Sequence, residues 1–232
     1  MEHINRMVYT YWTQEGENYT QNFTSFEKMI EIFNLSLLKS KSLVDKVVMY
    51  TDLLGKIKLN EAGIDMDCVV VDYSLHKFNP QFWNYPKIIT CSMQTERFLH
   101  LDMDLILEEN PSEDFMRSEL VCEKTRMLSQ MRYERAFLPK ELLNHYTPKL
   151  VCSGALGGNV SIFKKLKEVT SLIVKVKGDI TDSNRFTLEE VTLTCLATLN
   201  SIVPTSIDCK YSHIQGKLKK ISLGNSEINF KI

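Results

Sequence analysis

The chain has 232 residues, enough for one domain with a sizeable core, and its 44% hydrophobic and 25% charged content excludes global disorder. A formal net charge of −1 provides no general basic field, which argues against nucleic acid as a partner. The six cysteines form no Cys-x-x-Cys pair, and most sit in apolar runs such as "DCVVVDY". They read as reduced, buried thiols of a cytosolic protein. The start, "MEHINRMVYTYW", lacks the apolar centre of a signal peptide. No apolar run approaches the roughly 20 residues that span a bilayer. The expected location is cytoplasmic, with room for peripheral membrane contact.

Met7 to Trp12 is the first predicted strand. A helix follows from about Phe26 to Lys39, opened by the capping box Thr24-Ser-Phe-Glu27 and carrying Phe26, Met29, Ile30, Phe33, Leu37 and Leu38 at helical spacing. "KVVMYTD" is a second strand ending at Asp52. A short helix from Leu54 to Ala62 stops at Gly63. The unbroken apolar stretch of "MDCVVVDY" predicts a third strand buried on both faces. Pro80 to Met93 reads as helical with a break near Pro86, and "RFLHLDMD" as the fourth strand. Alternating strands and helices predict an α/β fold with a mixed, mostly parallel sheet. Residues 110–150 read as charged and mostly helical. "LVCSGALGGN" reads as a strand entering a glycine loop. Helices are predicted at about Val160 to Val176 and Leu188 to Leu199, then a tail of short strands and loops.

Asp102 and Asp104 stand at the end of an otherwise apolar strand. Residues two apart share a strand face, so both carboxylates can converge in the crevice where α/β sheets bind ligands. Their repulsion is relieved by a proton or by a hard divalent cation such as Mg²⁺ or Mn²⁺, which also bridges to phosphates. The simpler alternative is that both cap nearby backbone amides. A second feature lies far downstream, in "HIQGKLK". There His213 can add a nitrogen ligand, Gly216 can allow close backbone approach to an anion, and Lys219 can neutralise phosphate oxygens.

With these pieces in order, the sequence resembles nucleotide-sugar glycosyltransferases of the GT-A fold, in particular glycogenin-like and lipopolysaccharide galactosyltransferase-like retaining enzymes and related bacterial proteins. "FLHLDMDLIL" resembles that family's Asp-x-Asp strand, "HIQGKLK" its C-terminal His-x-x-Gly-x-x-Lys motif, "VCSGALGGN" its donor-side small-residue loop and "KVVMYTD" its second strand. The resemblance implies one domain over 1–232, with a nucleotide-binding half at 1–104. An acceptor half with the metal and diphosphate motif would occupy 105–232. It implies that Asp102, Asp104 and His213 hold Mn²⁺ or Mg²⁺ against the diphosphate of a donor, a UDP-sugar above all. Gly216 and Lys219 would contact that diphosphate, Thr10 and Trp12 the base and ribose, and Lys87 the donor. Gly157 and Gly158 would let their loop approach the sugar. Asp104 and Glu189 are the expected catalytic residues. The acceptor would be a carbohydrate, lipid-linked or protein hydroxyl.

Each assignment has a plainer counterpart. Trp12 reads equally as core packing, Lys87 more simply as a solvated lysine, and Gly157-Gly158 as a turn before a helix capped by Asn159. Glu190, three residues after Thr187, reads as a helix cap, and Glu189 as a surface residue. The chain also departs from the family. Ser153-Gly154-Ala155 replaces the usual Asn-Ala-Gly, and Lys220-Ile221 stands where Pro-Trp commonly follows the lysine. Two other functions fit part of the pattern: a degenerate transferase fold kept as a binding module, and a phosphatase of the haloacid dehalogenase type with Asp102 as nucleophile.

Overall fold

The period-two pattern of the first strand divides its side chains between two cores. Met7, Tyr9 and Tyr11 pack on one face of the central sheet and Val8 on the other. In this computed structural model the described residues are 2–13, 25–73, 84–127, 138–147, 149–176, 188–214, 219–223 and 226–230. The first half contains β1 (Arg6–Tyr11), α1 (Phe26–Leu43), β2 (Lys46–Thr51), α2 (Leu53–Glu61), β3 (Asp67–Val70), α3 (Tyr85–Ser92) and β4 (Phe98–Leu101). The second half begins with β5 (Leu105–Leu107), α4 (Glu113–Arg117), β6 (Leu120–Cys122), β7 (Thr125–Met127), α5 (Lys140–Leu143), β8 (Lys149–Val151) and β9 (Ala155–Gly158). It continues with α6 (Val160–Val176), α7 (Leu188–Leu199), β10 (Thr205–Ser206), β11 (Tyr211–His213), β12 (Lys219–Leu223) and β13 (Ser226–Phe230).

Seven strands form one sheet in the order β10-β6-β9-β4-β1-β2-β3. β9 runs antiparallel to both its neighbours, and the other pairings in the sheet are parallel. Phe33 and Leu37 of α1 and Leu59 of α2 cover the face that carries Tyr9 and Leu99, while Ile88 and Ile89 of α3, Phe163 of α6 and Val191 of α7 cover the face that carries Val8 and Phe98. The protein is thus a single mixed α/β domain with helices on both sides of a mostly parallel sheet, as the strand–helix alternation predicts. No described helix is long and apolar enough to cross a membrane. All six cysteines are free thiols, four of them buried.

Several local expectations change. The N-cap of α1 is Ser25, whose hydroxyl accepts from the Lys28 amide; Thr24 lies outside the described residues. Pro86 stands in the first turn of α3, as suits a residue with no amide hydrogen to donate, while 80–83 of the expected helix lie outside the described residues. β3 is the edge strand and its side chains are half-buried or exposed, so its apolar run does not reflect burial on both faces. The described part of 110–150 holds three short strands besides two helices of five and four residues. Strands of three residues are too short to show a period of two.

Candidate functional site

β4 ends at Leu101, so Asp102 and Asp104 do not lie on one strand face. They flank a turn closed by the Leu105 amide donating to the Asp102 carbonyl at 3.0 Å, after which the chain enters β5. This turn brings both carboxylates to the carboxyl end of the sheet. The partner from downstream arrives by pairing: β11 runs antiparallel to β5 with His213 opposite Leu105, and the Ile214 amide donates to the Asp104 carbonyl at 2.9 Å. The ladder seats the imidazole beside Asp104, with His213 Nε2 3.3 Å from Asp104 Oδ1. One donor atom from each of Asp102, Asp104 and His213 lies within 4.8 Å of the others.

Two carboxylates and an imidazole suit a divalent cation. Ligands about 2.1 Å from an octahedral ion are about 3 to 4.2 Å apart, so the observed cluster needs little contraction to hold one. The electrostatics point the same way. Burial pushes the Asp102 carboxyl up, Lys87 pulls it down, and Asp104 pushes it up again. Burial would lower the His213 imidazole, but hydrogen bonds to Asp104 and to Glu123 outweigh it and lift the group to about 10. Without a metal the imidazole therefore carries the positive charge that the acidic cluster requires.

Lys87 is not solvated. It is 6% exposed, its ammonium 2.7 Å from Asp102 Oδ1 and donating at 3.0 Å to the Ser153 carbonyl. Burial opposes its charge, yet Asp102 and Glu189 hold the group above its usual value. Glu189 is not a surface residue either. It is 2% exposed; one oxygen accepts from Asn84 Nδ2 at 3.2 Å and the other has no hydrogen-bond partner among the described residues. Burial above all, with Lys87 opposing, moves its carboxyl up to about 7. Glu190 stands in the first turn of α7. It accepts from Arg126 Nη2 at 2.6 Å and from the Ser153 amide at 3.2 Å, while Thr187 lies outside the described residues.

The expected glycine loop is a strand. Gly157 and Gly158 lie in β9, opposite Leu99 and Phe98 of β4, several residues back from the Asp102 turn. A Cβ on Gly157 would collide with the Phe98 carbonyl, so this glycine lets two strands approach. Gly158 has φ +109° and abuts the Glu119 carbonyl. The glycine at the cluster is Gly154, whose carbonyl accepts from the Asp102 amide at 2.8 Å and whose missing Cβ would lie 2.7 Å from His213 Cε1. Thr10 is half-buried in β1 with Oγ1 3.0 Å from His100 Nε2; Trp12 follows the strand, half-buried, its ring 6.2 Å from that of Tyr73. Lys219 lies in β12 and Gly216 lies outside the described residues.

Five contributors are missing from the sequence-based set: Asn84, His100, Glu123, Arg126 and Gly154. His100 is buried, and burial together with Lys87 holds its imidazole well below the usual value, hence neutral. Glu123 directly follows the apolar "LVC" of β6, much as Asp102 follows "FLHL". An acid ending an apolar strand is a signal that would have found both.

Compared with known proteins, residues 5–208 match the model of a family described as "Family of unknown function (DUF6734)". No curated protein matches. Among solved structures, the inositol-1-phosphate CTP transferase from T. maritima is similar over 92% of this chain and 90% of its own, with a TM-score of 0.44 and 12% identity. That likeness assigns no residue a role.

Proposed function

Since the chain belongs to this family of unknown function, its activity is read from its own site, and we propose a metal-dependent glycosyltransferase. It would move a hexose from a nucleotide sugar, a UDP-sugar above all, to an acceptor hydroxyl with retention of configuration. The observation that carries the reading is the convergence of Asp102, Asp104 and His213 donor atoms within 4.8 Å at the carboxyl end of a mostly parallel sheet. The order of motifs along the sequence, from "KVVMYTD" to "HIQGKLK", supports the same assignment.

In this reading Asp102, Asp104 and His213 hold Mn²⁺ or Mg²⁺, which when bound stabilises negative charge on the leaving diphosphate. The bond from the sugar's anomeric carbon to the diphosphate oxygen breaks, the acceptor oxygen bonds to that carbon, and its proton passes to the leaving phosphate. Lys87 would exchange its contact with Asp102 for one with a donor oxygen. Glu189, buried with one oxygen unpartnered among the described residues, is suited to orient a sugar hydroxyl. Thr10 and Trp12, at the carboxyl end of β1, would meet the nucleoside. Residues 1–104 would form the nucleotide-binding half and 105–232 the acceptor half. The test is sugar release from a panel of UDP- and GDP-sugars with Mn²⁺, comparing wild type with Asp104→Ala. Metal-dependent release that Asp104→Ala abolishes supports the reading, and full activity in the variant refutes it.

A further inference from the structure

His213 is gripped from both sides. Its Nε2 faces Asp104 Oδ1 at 3.3 Å, and its Nδ1 lies 3.2 Å from Glu123 Oε2. Glu123 is 3% exposed and firmly held: its amide donates to the Ala155 carbonyl at 2.9 Å, and its second oxygen accepts from the Tyr211 hydroxyl at 3.3 Å. Lys124 Nζ stands 3.5 Å from that same oxygen. The ring therefore has one nitrogen directed to the acidic pair and the other to an anchored carboxylate.

We propose that Glu123 is a positioning residue that fixes the orientation and tautomer of His213, so that Nε2 presents its lone pair to a divalent cation shared with Asp102 and Asp104. The inference rests on the metal-site reading above and adds a residue to it. Glu123 is not itself a ligand in this arrangement. It approaches the ring from the opposite nitrogen, and the donor atoms that gather within 4.8 Å of one another are those of Asp102, Asp104 and His213. Neutral imidazole carries one proton; with that proton on Nδ1 and accepted by Glu123, Nε2 is free to ligate. An imidazole so held loses less freedom on binding metal and is a more basic ligand. Gly154 is part of the same device. A Cβ there would lie 2.5 Å from Glu123 Oε2 and 2.9 Å from His213 Nδ1, so only glycine leaves the pair room to meet.

The test measures Mn²⁺ binding to the full chain by the electron paramagnetic resonance signal of free Mn²⁺, for wild type, Glu123→Gln and Glu123→Ala. Removing such a carboxylate lowers metal affinity by about 10- to 100-fold. The expected order is wild type tightest, Glu123→Gln weaker, since its neutral amide can turn either its oxygen or its NH2 group to Nδ1 and so no longer selects one tautomer, and Glu123→Ala weakest. A second readout follows the ring nitrogens of ¹⁵N-labelled histidine with Mg²⁺ bound, with His213 assigned by its loss in His213→Gln. Wild type should show the proton on Nδ1, and Glu123→Ala a mixture of tautomers. Wild-type affinity in a folded Glu123→Ala overturns the inference and leaves the metal site standing. Wild type that binds no Mn²⁺ overturns the metal site and this inference together. Should Glu123→Ala fail to fold, the near-isosteric Glu123→Gln decides: unchanged affinity and tautomer overturn the proposal, and weaker binding with a mixed tautomer supports it.

Discussion

Two buried polar groups in this protein solve the same problem differently. Behind β1, the Tyr9 hydroxyl lies 2.7 Å from both Ser36 Oγ and Ser40 Oγ of α1. Ser36 spends its one proton on the Leu105 carbonyl, so Tyr9 donates to Ser36 and accepts from Ser40. All three are uncharged, and each hydroxyl has a partner. At the carboxyl end of the sheet, by contrast, Asp102, Asp104, Glu123, Glu189 and Glu190 crowd together, answered by buried Lys87, half-exposed Arg126 and the His213 imidazole. One Glu189 oxygen and one His100 nitrogen there lack hydrogen-bond partners among the described residues. The first group is arranged for stability. The second holds more acids than bases in a desolvated setting, a feature of sites that take a cation or a substrate.

The contrast breaks first under changes to the acidic pair. Asp104→Ala should lower Mn²⁺-dependent sugar release on the order of 10²-fold or more, measured on the panel of nucleotide sugars. The same substitution leaves the Tyr9 group untouched, so loss of folding would contradict the separation of roles.

Glu189→Gln should sharpen the contrast from the other side, by stabilising the fold while impairing turnover. The carboxyl is raised from its ordinary 4.5 to about 7, mainly by burial. A group raised in this way contributes stability that is intact below 4.5 and lost as pH rises through about 7. In chelator at pH 8 the variant should be more stable than wild type by up to about 3 kcal/mol, with a much smaller gain at pH 5. Chemical denaturation at the two values checks this; a variant less stable at pH 8 would count against it.

Tyr9→Phe should do the reverse. It removes the donor to Ser36 and the acceptor of Ser40 in a dry core, at a cost of about 1–3 kcal/mol with no change in metal affinity. Burial raises the Tyr9 hydroxyl to about 12. Its share of stability is thus complete below pH 10 and lost as pH rises through about 12, so denaturation curves of wild type and variant should draw together above pH 10. The smallest effect is expected for Gly154→Ala: a Cβ pressed between Glu123 and His213 should weaken Mn²⁺ binding by about tenfold and barely shift the melting temperature.

How much of this could be read from the sequence depended on the range of the interaction. Local signals were legible: α6 and α7 match their predicted bounds, Gly63 ends α2 with φ +73°, and the strand–helix alternation matches the sheet. Asp102 and Asp104 were legible as an acidic interruption of an apolar stretch, although the turn that joins them was not. What escaped depends on distant partners. Lys87 looks like a surface residue until Asp102 is folded against it. Gly157 looks like a loop glycine because the Phe98 carbonyl that excludes a side chain is far away in sequence. Glu123 shows only as an acid ending an apolar strand, and its partner is hidden until β11 brings His213 to it. The exposure of β3 follows from the order of strands, which no single segment encodes.

The proposed chemistry requires a divalent cation among Asp102, Asp104 and His213. Crystals soaked with Mn²⁺ and UDP and measured for anomalous scattering from manganese test it most directly. A strong peak is expected within bonding distance of both carboxylates and of His213 Nε2, with the diphosphate beside it. Manganese bound elsewhere, or no peak with Lys87 still clamped on Asp102, would contradict it.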